Sequence, residues 1–174
     1  MKIKDIRAAG SPTLSFGVFP PKGEEAYESV EKAALEIAKL KPAFMSVTYG
    51  AGGGTSRYTV GIASDIQRET GVNTLAHLTC VSSTRSEVKS VLKQLREKQI
   101  ENVLALRGDI PADGPIATDY RYASELIYDI KQFDENLCIG AACYPEGNVE
   151  SVKKPGDIEH LREKVEAGCE FVHT

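Results

Sequence analysis

The sequence predicts an α/β domain organised on a parallel sheet. Three observations carry that expectation. Short β-rich runs alternate with amphipathic stretches of helical period. Strands separated by helices join through right-handed crossovers, which makes the sheet parallel. No low-complexity segment, repeat or linker interrupts the alternation, so residues 1–174 read as a single domain.

In chain order, Thr13 to Phe19 is a first strand. Glu24 to Leu40 follows as a helix, with Ala26, Val30, Ala33, Ala34, Ile37 and Ala38 forming one stripe and Pro42 ending it. Ala43 to Thr48 is a second strand, Tyr58 to Glu69 a helix closed by Gly71, and Asn73 to Leu78 a third strand. Thr84-Arg85-Ser86-Glu87 fits a capping box, and Val88, Val91, Leu92 and Leu95 recur with helical spacing behind it. Asn102 to Leu106 is the fourth strand, followed by a helix from about Asp119 to Phe133. Leu137 to Cys143 is the fifth, and Gly156 to Ala167 leads through Gly168 into a sixth at Glu170 to Thr174.

Two parallel architectures fit this pattern: an open doubly wound sheet and a (β/α)8 barrel. A complete barrel runs to about 250 residues. The chain would supply about five and a half βα units of it and stops on a strand, so a barrel incomplete at its C-terminus is expected.

Composition excludes several classes. The formal charge of −4 carries no basic stripe for nucleic acid. No apolar run reaches the ~20 residues that span a bilayer, and Met1 to Asp5 lacks a signal-peptide core. Cys80, Cys138, Cys143 and Cys169 form no C-x-x-C pair, which fits buried thiols of a reducing, cytoplasmic setting. His77, His160 and His173 are too scattered to predict a metal site, and no G-x-S-x-G elbow is present.

In both architectures ligands bind beyond the carboxyl ends of the strands. Those ends carry Phe19-Pro20-Pro21-Lys22, Thr48-Tyr49 with the glycine cluster Gly50 to Gly54, His77-Leu78-Thr79-Cys80, Arg107-Gly108-Asp109 and Tyr144-Pro145-Glu146-Gly147-Asn148. The glycines let backbone amides approach a phosphate or a flat ring. Arg107 offers a planar fork for phosphate or a ring carbonyl. Taken singly, His77 also reads as a core histidine, and the Arg107–Asp109 pair as a surface turn. Five such ends in succession favour a site.

These stretches, with Ser15-Phe16-Gly17-Val18-Phe19-Pro20-Pro21-Lys22 at the start and Lys164-Val165-Glu166-Ala167-Gly168 near the end, resemble the methylenetetrahydrofolate reductase family. The resemblance spans nearly the whole chain. It implies a (β/α)8 TIM barrel that binds FAD on the strands' C-terminal face. The implied reaction reduces 5,10-methylenetetrahydrofolate to 5-methyltetrahydrofolate with electrons from NAD(P)H by a ping-pong route. Thr48, Tyr49, Ala51, His77, Arg107, Gly108, Asp109, Ala123 and Tyr144 fall on the family's flavin contacts, and Asp157, His160 and Lys164 on positions that help hold the FAD. Asp109 takes the place of an aspartate beside the flavin ring, where its charge tunes the ring's potential.

The chain departs from the family pattern at three places. Gly17 stands where the family usually has a glutamate that acts as general acid; Asn148 replaces a frequent histidine and Glu163 an arginine of some relatives; and the chain stops before a folate-contacting glutamine. Strand alternation places Gly17 on the face opposite Leu14, Phe16 and Val18, toward a barrel interior. The expected consequence is a flavin site that works with the nicotinamide nucleotide and a weakened folate step. A flavin-binding but catalytically incomplete protein is the second reading. The edges of a partial barrel would be covered in a homo-oligomer.

Overall fold

The computed structural model describes residues 1–21, 23–49, 56–110, 119–147 and 154–174. Ala51, the cluster Gly50 to Gly54, Lys22 and Asn148 lie outside the described residues.

Six strands form one sheet: β1 (Ser15–Val18), β2 (Phe44–Val47), β3 (Asn73–Thr79), β4 (Asn102–Leu106), β5 (Cys138–Ala142) and β6 (Phe171–His173). Every pairing is parallel, and the spatial order is β1-β2-β3-β4-β5-β6. That order decides between the two architectures. A doubly wound sheet reverses its strand order at a switch point. Here the order never reverses, so right-handed crossovers keep all the intervening helices on one face. The sheet is a curled part-barrel of the (β/α)8 class, with its other face as the concave interior.

Side-chain alternation marks the two faces. Val18, Met45, Val47, Ala76, Leu78, Val103, Ala105, Ile139 and Ala141 pack outward against the helices. Those helices are α2 (Tyr27–Ala38), α3 (Ser56–Thr70), α4 (Arg85–Glu97), α5 (Ala123–Phe133) and α6 (Lys154–Glu166). The opposite set, Phe44, Leu75 and Leu104 with Phe171, forms a smaller interior cluster. Gly17 pairs in register with Ser46, and Ser46 with Leu75, so Gly17 belongs to the interior face as alternation requires.

Element boundaries differ from expectation in instructive ways. A 3-10 turn, Glu24–Ala26, precedes α2, and β1 is shorter than Thr13 to Phe19, leaving Leu14 59% exposed instead of packed with Phe16. The fifth helix begins at Ala123, not near Asp119, because the Glu125 carboxylate accepts from the Arg121 and Tyr122 N–H groups and caps the helix there. Asp119 instead accepts from the Arg85 N–H at the start of α4. The capping box at Thr84 is formed, with Glu87 reaching back to the Thr84 N–H at 2.7 Å.

One element escaped the sequence reading. A short helix, α1 (Ile3–Ala8), closes the N-terminal end of the sheet. Ile3 is fully buried among Phe44, Leu75 and Leu104. Its N–H donates to Asn102 Oδ1 at 2.8 Å, and Asn102 Nδ2 donates to the carbonyls of Met1 and Thr74. Arg7 Nη1 donates to the Val172 carbonyl at 2.6 Å, tying α1 to β6. Among the described residues, α1 thereby fills the N-terminal end of the concave face.

Candidate functional site

The described site residues gather at the C-terminal ends of the strands. After β2, the Thr48 N–H donates to the Val18 carbonyl at 2.9 Å and the Thr48 carbonyl accepts from Thr59 Oγ1 at 2.8 Å, while Tyr49 packs on the outer core. The end of β2 is thereby fastened to both β1 and α3.

His77 lies on the concave side of β3, in register with Leu104. Burial, and secondarily the charge of His173, lowers its pKa to about 4. The ring is therefore a neutral imidazole near pH 7, able to donate from one nitrogen and accept at the other. Cys80, just beyond, has its thiol pushed up to about 12, chiefly by burial, and is inert as a nucleophile.

The turn after β4 is the most constrained part of the site. The Arg107 carbonyl accepts from the Cys80 and Val81 N–H groups, at 3.1 and 2.8 Å. Gly108 has φ +85°, and a Cβ there would stand 3.1 Å from Thr79 Cβ and 3.2 Å from Val81 Cγ1. Only glycine takes that conformation in that space without strain. The tight turn delivers Asp109 to the exposed mouth and directs Arg107 Nε to the Gly108 carbonyl, at 3.2 Å.

Beyond β5, Tyr144 is exposed, and Gly147 turns the chain with φ +96°. Along α6, His160 stacks on Tyr122 with ring centroids 4.6 Å apart and meets Glu163 Oε2 at 3.1 Å. Lys164 Nζ donates to the Ala142 carbonyl at 2.9 Å, which places the ammonium at the carboxyl end of β5. Burial lowers the Lys164 pKa; Cys143, Cys169 and Asp157 oppose that shift, and the Arg107 charge adds to it. Arg107 follows the carboxyl end of β4 and Lys164 reaches the carboxyl end of β5, so the two cations stand on neighbouring strand ends. Ala123, buried at the start of α5, follows Tyr122 directly.

Two residues of this end were not singled out from sequence as site members. Tyr122 fell inside a helix expected to start earlier, which hid its place at the helix entrance. His173 was read only as one of three scattered histidines; its two-residue spacing from Phe171 on a short strand was the available signal. A cavity of about 760 Å³ opens at the opposite, N-terminal end, lined by residues including Met1, Gln67, Arg96 and Asn136. It shares no residue with the site. Among the described residues no three His, Cys, Asp or Glu side chains cluster as a metal ion would need, and no helix is long and apolar enough to cross a membrane.

Comparison with known proteins bears on this arrangement. A family model described as methylenetetrahydrofolate reductase matches residues 2–174. Methylenetetrahydrofolate reductase 1 of Schizosaccharomyces pombe is 36% identical over 170 residues, covering 93% of this chain and 28% of that protein. The 5,10-methylenetetrahydrofolate reductase of Escherichia coli (strain K12) is 33% identical over 160 residues, covering 92% of this chain and 53% of that protein. Methylenetetrahydrofolate reductase (NADH) 1 of Arabidopsis thaliana is 32% identical over 187 residues, covering 99% of this chain and 32% of that protein. The chain therefore spans about half the length of its bacterial relatives. Among solved structures, a 2,3-dimethylmalate lyase of the PEP mutase/isocitrate lyase superfamily superposes with a TM-score of 0.65 at 9% identity, covering 98% of this chain and 60% of that one. An aldolase, QR15, superposes at 0.59 with 13% identity, covering 97% and 72%. These two likenesses concern the fold alone.

Proposed function

The chain belongs to the methylenetetrahydrofolate reductase family, and from that premise we propose that its C-terminal face binds FAD and reduces 5,10-methylenetetrahydrofolate to 5-methyltetrahydrofolate with electrons from NAD(P)H, in a ping-pong sequence. The observation that carries the proposal is the placement of Arg107 and Lys164 at the carboxyl ends of neighbouring strands, at an end that also holds a neutral His77 and the forced glycine turn at Gly108.

The donor set fits a flavin dinucleotide. Arg107 and Lys164 supply two positive groups, one a planar fork and one a point charge, suited to paired phosphates. The absent side chain at Gly108 keeps the turn flush against Thr79 and Val81, leaving room for a flat ring. The stacked Tyr122–His160 pair offers an aromatic surface beside α6. FAD, when bound, supplies hydride acceptance from the nicotinamide and hydride donation to the folate. The chain's own contributions are positional and electrostatic. His77 presents a neutral donor and acceptor, and Asp109 places a carboxylate at the mouth, where negative charge disfavours a more electron-rich ring.

Gly17 supports the second reading, a flavin-binding protein incomplete in its folate step. No side chain on the interior face of β1 at this position can give a proton. The two readings part in one experiment. The purified chain, loaded with FAD under anaerobic conditions, is mixed first with NADH, the donor named for the Arabidopsis relative, and then with methylenetetrahydrofolate. Bleaching followed by reoxidation supports the reductase. Bleaching without reoxidation supports the incomplete flavoprotein, and a chain that takes up no flavin overturns both.

The proposal extends to setting and assembly. Cys80, Cys138, Cys143 and Cys169 are free thiols, which suits a reducing cytoplasm. A homo-oligomer is part of the same reading. Light scattering coupled to gel filtration tests this, and a monodisperse monomer would end the idea.

A further inference from the structure

Turning a methylene bridge into a methyl group adds hydride to carbon and breaks one carbon–nitrogen bond, so the departing nitrogen must take up a proton. Which side chain supplies it depends on what the concave face carries near the ends of its strands. Gly17 carries nothing, and its register partner Ser46 is a hydroxyl. His77 is held neutral by burial and by the charge of His173. Lys164 is engaged with the Ala142 carbonyl at 2.9 Å.

His173 is placed differently. A Cβ on Gly140 would fall 2.4 Å from Phe171 Cζ and 3.1 Å from Leu104 Cδ1, which puts the Phe171 ring on the concave face. Alternation along β6 puts His173 on the same face, two residues nearer the mouth. Its backbone is held by register with Ala142 and by the Cys143 N–H, which donates to the His173 carbonyl at 2.8 Å. The residue is exposed, so its ring can exchange protons with water. Gly17 and His173 each lie in the last two residues of their strands, on the concave face of the described sheet.

We propose that His173 is the proton donor of the folate half-reaction, an assignment that rests on the folate-reducing function proposed above. As the carbon–nitrogen bond breaks, its electron pair passes to the nitrogen, which takes the proton from the imidazolium N–H. Hydride originating from the nicotinamide nucleotide completes the methyl group, and water reprotonates the imidazole. Imidazole is the side chain suited to hold and release a proton near neutrality.

The test uses the full chain loaded with FAD, with His173→Gln and His173→Ala beside it. Bleaching by NADH should keep its rate in both, while reoxidation by methylenetetrahydrofolate falls by about 10²-fold. Added imidazole should restore part of the rate in His173→Ala. Placing glutamate at position 17 (Gly17→Glu) should shrink the loss caused by His173→Gln. A second readout needs no turnover. The chain has three histidines, and tetrahydrofolate added to the oxidised, FAD-loaded protein should move the His173 imidazole resonances in nitrogen-15 spectra. Reoxidation within twofold of the parent in both variants, or a His173 ring indifferent to saturating folate, overturns the assignment alone. A parent that bleaches but never reoxidises overturns the folate-reducing reading and the assignment with it.

Discussion

Gly17 stands in register with Ser46, and a Cβ built on it meets Ser46 Oγ at 3.5 Å, an ordinary contact. The backbone there carries no left-handed φ, so a side chain can be added without strain. We expect Gly17→Glu to fold, with a gain of about 0.5–1 kcal/mol from removing a strand glycine, offset in part by the new charge. Its carboxyl would enter the concave face. With His173 supplying the proton, reoxidation of the reduced protein by methylenetetrahydrofolate should change little in this variant alone, and the new carboxyl should recover most of a loss of about 10²-fold only when His173 is also replaced by Gln, while bleaching by NADH stays unchanged. Stopped-flow absorbance separates the two steps. No recovery in the doubly substituted chain would show that a carboxyl at position 17 does not reach the reacting nitrogen.

Gly108 is the opposite case. Its φ of +85° strains any side chain, and with Thr79 Cβ at 3.1 Å a methyl group fits only if a neighbour gives by a few tenths of an ångström. Gly108→Ala should cost about 2 kcal/mol in urea denaturation, from the left-handed backbone and the displaced turn together. The displaced turn carries Arg107 and Asp109, so FAD affinity should fall as well. A variant with unchanged stability would mean that the turn relaxes freely.

Much of this was legible before the structure. Strand alternation alone placed Gly17 on the interior, because a period of two leaves no other choice once Phe16 and Val18 face the helices. The capping box at Thr84 was equally readable, since its two bonds are local. The barrel architecture was legible through the family resemblance and not through the pattern of elements. Helix–strand alternation is common to both parallel folds, and only the pairing order of strands far apart in sequence distinguishes them. The α1 helix escaped for a related reason: six residues are too few to hold a helix by propensity. It is held by Asn102, some hundred positions along the chain. His173 was invisible as a site residue until Gly140 fixed the face of β6.

Glu170 governs the N-terminal end. Its Oε1 accepts from Lys131 Nζ at 3.0 Å and lies 3.4 Å from Lys4 Nζ, and its side chain is 21% exposed. Burial alone would raise its pKa; the Lys131 hydrogen bond and charge outweigh that, with Cys138 and Lys4 adding to them, and the net shift is downward. A depressed folded-state value stabilises the fold above the unfolded carboxylate pKa of about 4.3, and that contribution is lost as pH falls through the folded value. Glu170→Gln should therefore cost roughly 1–3 kcal/mol at pH 7, and the difference from the parent should shrink below pH 4. Urea titrations at several pH values check both statements. A difference independent of pH would assign the effect to packing.

His77 acts with the opposite consequence for its own charge. Burial, then the charge of His173, brings its pKa down to about 4. The unfolded chain takes up that proton near pH 6.5 and the folded chain only near 4, so between those values the unfolded state binds more protons. Stability should rise with pH across that window, by on the order of 3 kcal/mol in total. His77→Gln keeps a polar group of similar reach and removes the titration, so its stability should be nearly flat from pH 4.5 to 6.5 once the carboxylate background shared with the parent is subtracted. Urea titrations of parent and variant at several pH values from 4 to 7 read this slope directly. An equal slope in parent and variant would show that the His77 ring is not the group that titrates.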